Sequence, residues 1–169
     1  MYYAAKNNHF AILKWLRSIN SRLDSYPLDA DVNYETPMDA AILNGNLKIV
    51  KYLHLISDTY SDWTMGYASA NGYLRIVQYL YSVGAIGDAW GMDQASAYGY
   101  LNVVQYLYSI GVVPSEDAMI KACENGDLQM VKYLVSIDAV FTERAIDKAF
   151  ENRHMSIVYF LNEKYMDGT

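Results

Sequence analysis

The residues able to do chemistry are few and scattered. The chain has three histidines, His9, His54 and His154, and one cysteine, Cys123. A single thiol excludes an internal disulfide and a thiolate metal cluster, and it suits a reducing compartment. Ser18, Ser82, Ser109 and Ser136 recur at one position of a repeated pattern. None has a histidine at helical spacing nearby to act as its base, so each reads as a helix-end residue rather than a nucleophile. "SVGAIGDAWG" is rich in glycine but has no lysine and no P-loop spacing, so a phosphate cradle is not expected. Asp62, Glu116, Asp117 and Glu143 fall in the first turns of expected helices, where the helix dipole favours negative charge. An acidic rim attracting a basic partner is the alternative reading of these four. The expectation is a protein that is not an enzyme, with no catalytic residues, no metal, no cofactor and no small-molecule substrate.

The elements that must position these side chains are equal units. "NGYLRIVQYLYSVG", residues 71–84, is followed by "YGYLNVVQYLYSIG", residues 98–111, with ten of fourteen positions identical. Gly45, Gly72, Gly99 and Gly126 lie 27 residues apart, and a further 27 reach Arg153. Asn8 takes the glycine position in the first unit, 37 residues before Gly45. Four residues before each anchor stands an alanine: Ala4, Ala41, Ala68, Ala95, Ala122 and Ala149. Six units result, spanning about 1–20, 34–57, 61–84, 88–111, 115–138 and 142–165, with a longer loop over 21–33. Packed helices stand about 8–10 Å apart, so His9 and His154, five units from each other, are separated by roughly 40–50 Å and cannot share a metal.

Each unit reads as two short helices. Counting from the glycine, apolar residues of the third unit fall at +2, +4, +5, +7, +8 and +11, while Arg75, Gln78 and Ser82 at +3, +6 and +10 form one narrow polar edge. A helix wetted along one edge is covered elsewhere by neighbours, as in a stack of repeats. The tyrosines at +7 (Tyr52, Tyr79, Tyr106, Tyr133), with Trp15 and Phe160 in the same slot, are expected in the core. Gly84, Gly111 and Asp138, and Asn20 and Ser57 earlier, are the expected helix stops. Ser61, Asp88, Ser115 and Thr142 are the expected N-caps of first helices, with Thr36 and Pro37 opening the second unit. The small alanine at −4 and Met or Ile at −7 share a face, which lets first helices approach closely.

With 53% hydrophobic residues and 19% charged, the chain can bury a core. It has no run of eighteen apolar residues and no basic start leading into an apolar stretch, so no membrane association is expected and the protein is placed inside the cell, in the cytoplasm. A net charge of −6 opposes broad contact with phosphate backbones, so no nucleic acid partner is expected.

"DADVNYETPMDAAILNGNLKIVKYL", residues 29–53, resembles the ankyrin repeat, with Thr36, Pro37, Met38, Asp39 and Ala41 in its T-P-L-H-x-A start, Gly45 at its turn, and Val50, Lys51 and Leu53 in its second helix. Without Thr-Pro, the resemblance runs through the whole chain in an "NGxLxxVxYL" core, a version similar to ankyrin proteins abundant in large DNA viruses of amoebae. It implies an all-α helical solenoid that binds other proteins; a viral source would put it in the host cytoplasm or the virion. Ankyrin units run about 33 residues because each carries a β-turn finger. A 27-residue unit leaves no room for one, so fingers are expected to be missing from units three to six.

The slots that break the repeat are −9, −5, −2 and −1, all along one side of the first helix. Trp63, Tyr67, Trp90, Gln94, Tyr98, Lys121 and Glu124 stand in them and are the candidate partner-binding residues. Two readings stay open for the aromatics: interface anchors, or packing that fills the space left by missing fingers. The expected function is capture of a partner protein through this face and the loop tips. The alternative is a structural role, in which the solenoid packs into a larger assembly through its ends or by self-association.

Overall fold

The computed structural model describes residues 1–19, 36–56 and 63–167, with side chains through Lys164. Among these residues there are twelve helices and no strand. They pair as α1 (Tyr2–Lys6) with α2 (Phe10–Ile19), α3 (Pro37–Leu43) with α4 (Leu47–Ile56), and α5 (Thr64–Ala70) with α6 (Leu74–Ser82). The second half continues with α7 (Ala89–Ala97) and α8 (Leu101–Ser109), α9 (Glu116–Asn125) and α10 (Leu128–Ser136), and α11 (Glu143–Glu151) and α12 (Met155–Asp167). The chain is an all-helical solenoid. Six-residue links join α6 to α7, α8 to α9 and α10 to α11 without strand pairing, so these units carry no fingers. The longer loop over 21–33 and the expected stops at Asn20 and Ser57 lie outside the described residues.

The repeat anchors are set by backbone geometry. Gly45, Gly72, Gly99 and Gly126 have φ between +66° and +77°, and Asn8 and Arg153 take the same left-handed conformation at 62° and 63°. Every inter-helix turn therefore has one shape, and glycine is the residue that adopts it without strain. Gly84, Gly111 and Asp138 end the second helices with φ of 94°, 92° and 54°.

Packing follows the unequal sizes of the two helices. All six alanines at −4 are buried, as are Met38, Met65, Met92 and Met119. Between α5 and α7 the approach is tightest: a Cβ on Gly91 would lie 2.9 Å from the Cα of Gly66. Second helices carry Leu, Ile, Val and Tyr in the corresponding places. First helices thus touch their like neighbours along far more of their surface than second helices do. First helices therefore form the more closely packed, inner side of the stack.

Three carboxylates are among the polar groups that tie consecutive units. Asp39, fully buried, accepts from the Thr36 amide and hydroxyl on Oδ2 (both 2.9 Å) and from the Thr64 hydroxyl on Oδ1 (2.9 Å). Asp93 accepts from the Ser115 amide on Oδ1 (3.0 Å) and its hydroxyl on Oδ2 (2.5 Å). Burial pushes the Asp93 carboxyl above its usual range, against the lowering effect of these bonds from Ser115. The Thr142 hydroxyl donates to Glu116 at 2.7 Å.

Two expectations are corrected here. Thr142 does not cap α11 through its side chain, and its hydroxyl donates to Glu116 of the preceding unit. Thr36, Asp88 and Ser115 do accept from the amides of Asp39, Gly91 and Asp117, while Ser61 lies outside the described residues. Trp15 is 60% exposed rather than core. In later units the +7 ring meets the +9 residue of the unit before, as Tyr79 meets His54 and Tyr106 meets Tyr81. Trp15, in the first described unit, has no such neighbour among the described residues. Tyr52, Tyr79, Tyr106 and Tyr133 are half-buried and packed against the core.

Candidate interaction surface

The inner face of units three and four gathers three of the variable residues. The rings of Trp63 and Trp90 stand edge to face, centroids 6.2 Å apart at 85°, and Tyr67 meets Trp90 in the same way at 5.9 Å and 90°. Trp63, the N-cap residue of α5 with no capping side-chain bond, is 55% exposed, and Trp90 is 38% exposed. Trp90 is held in place by what it covers: a Cβ on Gly66 would lie 2.8 Å from its ring carbons, so glycine at that position makes room for the indole. Both sequence readings are therefore present in one cluster. Trp90 is partly packing, whereas Trp63 spends most of its surface on solvent.

Tyr98 stands apart from this trio and leans on Tyr100, ring centroids 6.3 Å apart. Elsewhere its slot is asparagine with a structural task. Asn44, Asn71 and Asn152 each donate to the carbonyl four residues back, and Asn44 and Asn125 also reach carbonyls of the preceding unit at Lys6 and Ala97. Tyr98 gives up that helix-end bond and is 64% exposed.

Gln94 and Lys121 are half-buried and Glu124 is exposed. Lys121 is close enough to Asp93 to favour its charged form. The Glu124 carbonyl is in contact with the His154 ring Nε2 at 3.1 Å. These three do not join the aromatic cluster by any contact described.

Two features escaped the sequence reading. Ile86, Val113 and Val140, at the tips of successive links, are 85%, 68% and 65% exposed. Their 27-residue spacing was the available signal. Beside Ile86 lies an open depression of about 400 Å³ bordered by Tyr81, Gly84, Gly111 and Val112. The second feature is the residue after each turn. Tyr73 lies over Gly45, Tyr100 over Gly72, Asp127 over Gly99 and His154 over Gly126, while Asn46 donates to Asn8. These residues differ in kind, so no repeated letter marked them.

The remaining reactive groups are occupied in structural ways. The hydroxyls of Ser18, Ser82, Ser109 and Ser136 donate to the carbonyls of Trp15, Tyr79, Tyr106 and Tyr133 at 2.6–2.7 Å. His54 Nδ1 pairs with the Tyr79 hydroxyl at 2.8 Å. Burial raises the Cys123 thiol to about 12. Among the described residues no group of three or more His, Cys, Asp or Glu is placed to hold a metal ion, and no helix is long and apolar enough to cross a membrane.

A stack of helix-turn-helix units, with small residues where first helices meet and an irregular face along them, defines a helical repeat scaffold. A family profile described as ankyrin repeats, in three copies, matches residues 1–89. The chain belongs to the ankyrin-repeat family, whose members are generally protein-interaction modules. The crystal structure of the human ASB11 ankyrin repeat domain is similar over 96% of this chain and 81% of that one, with a TM-score of 0.79 at 17% identity. That likeness shows the fold and extends it through the units beyond residue 89. No curated protein matches this chain.

Proposed function

We propose that this chain is an intracellular, non-catalytic module that holds a partner protein against the inner face of units three and four, with Trp63, Tyr67, Trp90 and Tyr98 as anchors. The carrying observation is that Trp63, whose slot holds Trp90 in the next unit but Thr36, Asp117 and Arg144 in the others, and Tyr98, whose slot elsewhere holds asparagine, are 55% and 64% exposed. Aromatic side chains on an accessible face are the commonest energetic centres of interfaces. Gln94, Lys121 and Glu124 extend the face with polar and charged groups. The test is affinity capture from the native cell with the wild-type chain beside a Trp63→Ala, Tyr98→Ala double variant. A protein kept by the first and lost by the second supports the reading. Loss with Gln78→Ala and Gln105→Ala instead, on the outer polar edge, would place the interface on the second helices.

A second reading, assembly through the ends, is favoured by Phe150. Its slot holds Ile42, Ser69, Ser96 and Cys123 in units two to five, each buried under the following unit, yet Phe150 is 64% exposed and Tyr159 is 70% exposed. Self-association measured by sedimentation and abolished by Phe150→Asp would move the function to the end of the stack.

A further inference from the structure

We infer that the group the partner inserts on this face is an arginine, its guanidinium stacked on the Trp63–Trp90 surface and paired with the Asp88 carboxylate; the inference rests on the interaction reading above. Asp88 Oδ1 and the ring carbons of Trp90 lie 3.6 and 2.8 Å from one point, the place a Cβ on Gly66 would occupy, so acid and indole stand side by side. Asp88 is half-buried, its Oδ1 accepts from the Gly91 amide at 2.9 Å, and it has no cationic partner among the described residues.

Among the described residues, the lysines that lie over aromatic rings do so on other surfaces. Lys6 lies over the Tyr2 ring, Lys14 and Lys48 over Phe10, Lys51 over Tyr79 and Lys132 over Phe160, all with the ammonium within 5.6 Å of the ring centroid. Among the described residues no such cation lies over Trp63, Tyr67 or Trp90. The sequence accounts for this: between Lys51 and Lys121 the only lysine or arginine is Arg75, on the outer polar edge, against six acids, Asp58, Asp62, Asp88, Asp93, Glu116 and Asp117. The stretch is thus acidic and aromatic at once, and among the described residues no cation of the chain covers its tryptophan rings. Tryptophan is the best aromatic partner for a cation. Arginine suits the pair better than lysine, because a planar guanidinium can stack on a ring while its edge donates to a carboxylate, whereas an ammonium is compact and strongly hydrated.

The test titrates the full chain with a hexa-arginine and a hexa-lysine peptide while following the indole N–H resonances of its three tryptophans. The arginine peptide is expected to move the Trp63 and Trp90 signals, leave Trp15 in place, and bind about threefold to fivefold tighter than the lysine peptide. Asp88→Asn, which keeps the helix cap, is expected to remove that preference. Equal binding of the two peptides, equal shifts at Trp15, or an Asp88→Asn variant with unchanged preference overturns the inference. Selection from a random-peptide display library separates it from the reading on which it rests. Arginine-rich binders lost with Trp63→Ala and with Asp88→Asn support both. Arginine-free binders lost with Trp63→Ala overturn the arginine and keep the face, and binders indifferent to Trp63→Ala overturn both.

Discussion

Tyr100 lies flat enough against the turn of the preceding unit that a Cβ on Gly72 would fall 2.6 Å from its ring. Gly72 is therefore required twice, for φ of +72° and for the space above it. Gly72→Ala is expected to cost at least about 2 kcal/mol, the left-handed strain of an L-residue plus displacement of the ring. Urea unfolding of the variant measures it, and a loss under about 0.5 kcal/mol would show the ring to be free to move aside.

Ala95→Leu probes the close approach of the first helices. Ala95 is fully buried on α7, and added methylenes there have no void to enter. Overpacking is expected to cost about 1–3 kcal/mol. An unchanged denaturation midpoint would contradict the tight packing of the first helices.

Asp93 makes stability depend on pH in a defined direction. Burial raises its carboxyl in the folded chain, so between the ordinary aspartate value, about 4, and the raised one the folded state binds more protons than the unfolded state. Stability is then lost as pH rises through that window. Asp93→Asn can keep an acceptor for the Ser115 amide and is expected to flatten the profile. Thermal melts between pH 4 and 7 compare the two, and parallel profiles would remove Asp93 as the source.

Cys123 is expected to resist alkylation in the folded protein. It is fully buried and its thiol stands at about 12, so almost no thiolate exists at neutral pH. Iodoacetamide labelling followed by mass should be slow in buffer and rapid in urea; fast labelling in buffer would report local opening of α9.

The two tryptophans should separate packing from binding. Trp63→Ala is expected to shift the melting point little and weaken partner capture, since more than half of its surface already faces solvent. Trp90→Ala also uncovers Gly66 and should cost about 1–3 kcal/mol. Equal stability losses would place both rings in the packing of the stack.

What could be read from the letters was whatever the stack needs identically at each step. The left-handed turn admits little but glycine, so Gly45, Gly72, Gly99 and Gly126 announced themselves, and the buried −4 slot admits only a small residue, hence six alanines. Contacts that any of several side chains can make were not legible. A tyrosine, an aspartate and a histidine all cover a turn glycine, and only coordinates place Tyr73, Tyr100, Asp127 and His154 in one role. Trp15 was misread because its slot is core only when an earlier unit supplies the +9 neighbour. At the inner face, the departures from the repeat picked out the aromatic residues, but the partition between Trp90 as cover for Gly66 and Trp63 as open surface depends on a distance no pattern encodes.

The cover over each turn always comes from the unit that follows, never from the one before. The lock therefore has a direction along the chain. During synthesis the turn at Gly45 waits for Tyr73, and the turn at Gly72 for Tyr100, so each hairpin leaves the ribosome with its glycine bare. At 5–20 residues per second the next 27 residues arrive about 1–5 s later. Growth of the nascent chain and closure of the fold advance together, one unit out of phase.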